Sequence, residues 1–216
     1  MTDAPLTSLS VRDLADRLAS GEPVPGGGSA AAIGGALGAS LVGMVAELTI
    51  GRPDAAERDD LLRDVRDNAA RLRTDLLELA ETDAAAYEAV VAARRLPKGT
   101  DAERAERTRR MRATIVEAAR VPLETARRSR EVLDLAVRIA PIGNRNAVSD
   151  AGVAAQLASA AVRGAVLNVR INLPYLPADE PLRTSAAREA AMLEAAAEQR
   201  EDEVLSTVSM LLDEEA

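Results

Sequence analysis

The chain is 216 residues long, carries a formal charge of −8 with a pI near 4.8, and contains neither histidine nor cysteine. This composition excludes Cys-His and Ser-His nucleophiles, a disulfide framework and the usual zinc ligand sets, so acid–base chemistry falls to Asp, Glu, Lys or Tyr. With no Phe or Trp and only Tyr87 and Tyr175, an acidic chain offers neither the basic face nor the stacking platforms that nucleic acids need.

Ala, Leu, Arg and Glu are abundant and β-branched alternation is scarce, which predicts helices almost throughout. The first covers about 10–20, from Ser10 as N-cap to a stop at Gly21. The breaker cluster Glu22-Pro23-Val24-Pro25-Gly26-Gly27-Gly28-Ser29 opens a second over about 29–50, which carries no charge before Glu47. In a third, over about 54–96, Leu62, Val65, Ala69, Leu72, Leu76 and Leu79 recur at helical spacing, and Pro97 ends it. The capping box Thr100-Asp101-Ala102-Glu103 starts a fourth that reaches Ala140, with a kink or a break predicted at Pro122. The loop Ile142-Gly143-Asn144-Arg145-Asn146 precedes a fifth helix over about 149–173, and an amphipathic sixth covers about 180–212. No repeat, linker or composition shift divides the chain. The predicted fold class is all-α, a single-domain bundle of long helices spanning 1–216.

Two of these helices are built almost wholly from Ala, Gly, Ser, Val and Leu, over 30–46 and 151–162. Gly34 and Gly38 form a small-xxx-small pair that lets backbones approach closely. The first stretch nearly matches a bilayer in length, but it has few large apolar residues and no aromatic belt. A buried Ala/Gly-rich central helix in a bundle is therefore predicted, with a core shared across a homodimer and no membrane partner. No charged segment followed by an apolar one opens the chain, which predicts a cytoplasmic protein.

Five places hold candidate chemistry. Gly26, Gly27, Gly28 and Ser29 lead into a helix N-terminus, where free N–H groups favour an anion. The same glycines also serve simply to admit the chain to a crowded core. Asp83 and Tyr87 lie four residues apart on one face, among alanines and valines. Asp83 is then either solvated or buried, and burial would raise its pKa towards that of a working base. Lys98 is the single lysine against twenty-six arginines. An ammonium and a guanidinium are not interchangeable, so Lys98 is either a chance survivor on a loop or a position that needs an ammonium. Asn146, Ser149 and Asp150 sit where a loop becomes a helix, as caps or as ligand contacts. Asn168 and Asn172 recur one turn apart near its far end, in so apolar a segment that their amides need partners. Eighteen residues of helix separate Asp150 from Asn168 by about 27 Å, so the two cannot serve one small site within a single helix, and a common site would need a second subunit or a long substrate.

Taken in order, these segments resemble the cyclodeaminase/cyclohydrolase family, which includes the C-terminal domain of formiminotransferase-cyclodeaminase and stand-alone methenyltetrahydrofolate cyclohydrolases. The likeness runs through Pro25-Gly26-Gly27-Gly28-Ser29, Asp83-Ala84-Ala85-Ala86-Tyr87 and Leu96-Pro97-Lys98. It continues through Val121-Pro122-Leu123, Gly143-Asn144-Arg145-Asn146 with Ser149-Asp150, and Asn168-Val169-Arg170-Ile171-Asn172, covering roughly 10–175. It departs at Tyr87, where Phe is frequent, and at Arg52-Pro53-Asp54-Ala55, where the family carries more basic residues and an aromatic. The resemblance implies a homodimer acting on a folate that carries a one-carbon unit, with no cofactor beyond that tetrahydrofolate derivative and no metal. It makes Asp83 the base and Lys98 the group that orients water or protonates the departing nitrogen. Gly26, Gly27, Gly28, Ser29, Tyr87, Asn146, Asp150 and Asn168 would contact the substrate. Hydrolysis of 5,10-methenyltetrahydrofolate is the expected reaction. The alternatives are the ammonia-releasing cyclodeaminase reaction and a non-catalytic helical scaffold.

Overall fold

The computed structural model describes residues 4–214. Six helices carry the fold: α1 (Val11–Leu18), α2 (Gly27–Glu47), α3 (Asp59–Arg94), α4 (Asp101–Ile139), α5 (Val148–Asn172) and α6 (Leu182–Asp213), with no strand among the described residues. The predicted caps form. The Ser10 hydroxyl accepts from the Asp13 amide at 3.1 Å, and Thr100 and Glu103 exchange both bonds of a capping box.

Three features differ from expectation. α2 starts at Gly27, two residues early. α3 starts at Asp59 rather than near Asp54, because the Asp59 carboxylate accepts from the Gly51 amide at 3.1 Å and holds the intervening segment as a turn. α4 runs unbroken through Pro122, so of the kink or break expected there the break does not occur. The carbonyl that proline leaves without its usual donor belongs to Ala118, and the Asn172 amide of α5 reaches it at 2.9 Å.

α2 packs against α3, α4 and α5, while α6 closes over α4 and α5. Ala32, Ala36, Ala39, Val42 and Ala46 of α2 are fully enclosed. Their small volume brings the α2 and α5 backbones together at Gly38, where a β-carbon would stand 2.9 Å from the Ala154 carbonyl and 3.3 Å from the Ala158 nitrogen. On α3 the leucine stripe points inward, with Leu62, Leu72 and Leu76 buried and Leu79 only partly so. Beyond Leu76 the buried positions become Ala80, Ala86, Val90 and Ala93, with no leucine among them. This narrowing lets the second half of α3 approach the start of α2, and that approach builds the site.

Two segments, Gly27–Glu47 and Arg145–Tyr175, are long and apolar enough to cross a membrane by length and composition, and half or more of the most apolar stretch of each is buried inside the bundle. Their other faces carry exposed Leu37, Met44 and Leu48 on α2 and Val153, Leu167 and Ile171 on α5. α6 is tied down differently. Beyond its Ala and Val contacts, Arg127–Glu189, Arg200–Asp134, Arg163–Glu201, Arg170–Glu194 and Arg145–Glu214 ion pairs run along most of its length.

The α2–α5 approach gives a direct test. Gly38→Val is expected to lower stability by about 1–3 kcal/mol through overpacking, read as a drop in the urea midpoint at constant m-value. A midpoint equal to wild type would mean that the helices are not this close.

Candidate active site

A cavity of about 320 Å³ opens where the start of α2, the second half of α3, the middle of α4 and the end of α5 meet. Helical periodicity decides who lines it. Asp83, Tyr87, Val90 and Arg94 recur on one face of α3, and Asn168, Ile171 and Asn172 recur at the end of α5, with Tyr175 in the short turn that follows. Ile115 and Ala118 come from α4, and Val24, Gly26, Gly27 and Gly28 come from the entry to α2. The walls are mostly apolar, with one carboxyl, two amides, two phenols and one guanidinium converging on the space.

Asp83 lies at the tightest point. A β-carbon on Gly28 would stand 2.2 Å from Asp83 Oδ1 and 2.6 Å from its Cγ, so the carboxyl occupies the room that any larger residue at 28 would take. Ser29 is completely buried. Its hydroxyl donates to Asp83 Oδ2 at 3.0 Å and lies 3.0 Å from the Ala80 carbonyl. Partial burial pushes the Asp83 carboxyl above its ordinary value of 3.8, while the Ser29 hydroxyl and, after it, the Ser29 amide pull the other way. The result is a carboxyl whose proton affinity is raised but whose position is fixed.

This geometry corrects two expectations about the glycine segment. The N-cap residue of α2 is Gly26, with no capping side chain of its own. The anion at this helix end is supplied from within, by Asp83. Ser29 therefore acts on Asp83 rather than lining the cavity, whereas Gly26, Gly27 and Gly28 do line it. Tyr87 lines it too, half-exposed. Asn168 lines it with its Nδ2 donated back to the Gly164 carbonyl at 2.9 Å.

Three expected residues stand elsewhere. Lys98 is exposed on the turn between α3 and α4 and does not line the cavity; its backbone carbonyl accepts from Arg104 at 3.1 Å. Asn146 is exposed in the turn before α5, with its amide nitrogen donating to Asn144. Asp150 lies in the first turn of α5, where an acidic residue suits the helix dipole, and makes no side-chain cap there. Both sit at the far end of α5 from the cavity, so helix length keeps them out of this site. Conversely, Arg94 and Tyr175 were not singled out from sequence. Arg94 was within reach, since it falls eleven residues after Asp83, on the same face. Tyr175 follows the end of the helix, so periodicity gave no signal for it.

A family model described as Formiminotransferase-cyclodeaminase matches residues 10–192. A methenyltetrahydrofolate cyclohydrolase from Methylorubrum extorquens is 45% identical over 163 residues, covering 76% of this chain and 78% of the relative. The chain belongs to the formiminotransferase-cyclodeaminase family. The formimidoyltransferase-cyclodeaminase of Rattus norvegicus is 34% identical over 174 residues, 81% of this chain but only 32% of that longer protein. Among solved structures, the formiminotetrahydrofolate cyclodeaminase of Thermotoga maritima superposes with a TM-score of 0.84 at 27% identity, covering 96% of this chain and 99% of that one. The named family members are enzymes, and the all-α fold expected from sequence is shared with the Thermotoga maritima structure.

Gly28→Ala tests how Asp83 is seated in this family member. The added methyl collides with the carboxyl and must displace it. Turnover on the family's folate substrates is expected to fall about 100-fold, the size of loss that misplacement by an ångström produces, while the circular dichroism spectrum stays helical. Wild-type turnover would show that Asp83 needs no such seat.

Proposed function

We propose that the protein hydrolyses 5,10-methenyltetrahydrofolate to 10-formyltetrahydrofolate, with Asp83 as the base. The observation that carries this reading is the half-buried Asp83 carboxyl, its pKa raised by desolvation, facing a cavity whose other walls are apolar and neutral hydrogen-bonding groups with the Arg94 guanidinium among them. The 45% identity to a stand-alone cyclohydrolase over most of both chains supports the reaction chosen. The one-carbon bridge of the substrate is a cationic amidinium, and an ionised Asp83 beside it stabilises that charge. Water adds to the bridge carbon as Asp83 takes its proton. The protonated Asp83 returns that proton to N5 as the C–N5 bond of the tetrahedral intermediate breaks, the intermediate's hydroxyl proton passes to water, and the formyl group stays on N10. Arg94 at the mouth suits the carboxylates of the glutamate tail. Lys98, outside the cavity but exposed on a turn four residues after Arg94, serves the reaction only if that turn closes over bound substrate.

The ammonia-releasing reaction is the second reading, favoured by the close superposition on the Thermotoga maritima cyclodeaminase. Both reactions pass through a tetrahedral carbon between N5 and N10. Loss of the methenyl chromophore measures the first, and release of ammonia from 5-formiminotetrahydrofolate measures the second. Faster turnover in the second assay would make the protein a cyclodeaminase first and a cyclohydrolase second.

Asp83→Asn is expected to lower kcat by about 10²- to 10⁴-fold, the usual range for losing a general base. The base works deprotonated, so kcat/KM should fall tenfold per unit below the raised Asp83 pKa. Ser29→Ala removes a donor that holds that pKa down, so the acid limb should move to higher pH. An acid limb that stays put in Ser29→Ala would remove Asp83 from the role. Wild-type turnover in both Asp83→Asn and Lys98→Met would remove the whole assignment.

The protein works as a homodimer on this reading, joined through the exposed stripes of α2 and α5. Leu37, Met44 and Leu48 on one and Val153, Leu167 and Ile171 on the other form an uncharged face on neighbouring helices. Ile171 belongs both to this face and to the cavity wall, so the second copy would border the mouth. Leu37→Glu with Leu167→Glu is expected to halve the mass measured by light scattering. A wild-type protein that is already monomeric would refute the dimer.

A further inference from the structure

Pro122 lies inside a helix of 39 residues, where proline removes a donor and crowds the carbonyl one turn back. That carbonyl is Ala118's, and Ala118 lines the cavity. Its donor comes from another helix. Asn172, the last residue of α5, gives one Nδ2 hydrogen to Ala118 O at 2.9 Å and the other to Asn168 O at 2.9 Å. Both partners are backbone carbonyls, which only accept, so the amide has a single allowed orientation. Its Oδ1 takes no hydrogen bond among the described residues and belongs to a half-buried side chain in the cavity wall. Asn168 repeats the pattern one turn earlier, with Nδ2 turned to the Gly164 carbonyl. A fixed, partly desolvated acceptor calls for a donor.

We infer that Pro122 and Asn172 form one recognition device: the proline opens a backbone carbonyl, that carbonyl and Asn168's hold the amide nitrogen, and the Oδ1 thus aimed accepts from an N–H donor on the bound ligand. The inference rests on the folate reading for the identity of that ligand. The amino and ring N–H groups of the pterin are its donors, and two amide oxygens one helical turn apart suit such an edge. Asn172 is a binding and positioning residue, separate from the proton transfer assigned to Asp83. A purely structural proline would do nothing of this kind. Replacing it would restore a helix bond from residue 122 to Ala118 and free one Asn172 hydrogen.

The test compares wild type, Pro122→Ala and Asn172→Leu. Each is measured for tetrahydrofolate binding by the ligand's own fluorescence, which no tryptophan obscures. KM and kcat are measured in parallel. Pro122→Ala is expected to melt no lower than wild type, yet to raise Kd and KM about three- to tenfold with kcat little changed. Asn172→Leu should weaken both constants about tenfold, the scale of one neutral hydrogen bond. In ¹⁵N spectra of the free protein, both Asn172 Nδ2 hydrogens should be protected from exchange, and Pro122→Ala should lose that protection on one. Unchanged binding in both variants, with wild type binding normally, overturns this inference alone. Equal exchange of the Asn172 amide in wild type and Pro122→Ala overturns it without any ligand. A wild-type protein that binds no tetrahydrofolate overturns the folate assignment of the whole site.

Discussion

The contact between the Asp83 carboxyl and the backbone at Gly28 sets the terms for the rest of the molecule. It requires a residue without a side chain at the start of α2, and small residues on α3 so that the two helices converge there. It also gives an otherwise uncapped helix end its negative partner. Ser29 completes the arrangement from beneath, fully buried and bonded to the carboxyl. An acid held this way has little freedom to rotate, and partial desolvation raises its proton affinity. The two properties a base needs, position and basicity, come from one packing decision.

That decision spreads outward. Helices brought this near one another cannot bear large side chains on the facing surfaces, so α2 and α5 meet through Ala, Gly and Ser. The larger apolar residues of these two helices are displaced to their other faces, where Leu37, Leu48, Leu167 and Ile171 stand exposed. The same economy of volume leaves space between the helix ends, and the cavity occupies it. A site assembled from four helices in this way needs no long loop to complete it.

Much of this was legible in the sequence, for identifiable reasons. Helix existence followed from composition and periodicity, and the Thr100–Glu103 box fixed the start of α4. Asp83 stood out because a carboxylate among alanines needs an explanation, and helical spacing put Tyr87 beside it. What failed was proximity between segments distant in the chain. Nothing local told that the α2 N-terminus would take Asp83 as its anion, or that Ser29 would face that carboxyl instead of the cavity. Pro122 read as a kink or a break because its cost is local and its remedy, Asn172, lies fifty residues on. Lys98 drew attention by its rarity, a property of composition, and rarity carries no information about where a side chain points. Arg94, by contrast, lay on the face already picked out by Asp83 and Tyr87.

The ion pairs along α6 bear on a different property. Single pairs at this degree of exposure contribute little each and weaken as salt rises, but here they are strung along one helix whose apolar contacts are mostly alanine and valine. None of the residues lining the cavity belongs to α6. Ionic strength therefore acts on how α6 is held, and also on the pairs that link α3 to α2 and α4. The Asp83 carboxyl, however, is seated by Ser29 and by packing against Gly28 rather than by a cation. Salt thus reaches the pairs on the surface of the bundle, while the position of the carboxyl rests on contacts with no counter-charge to screen.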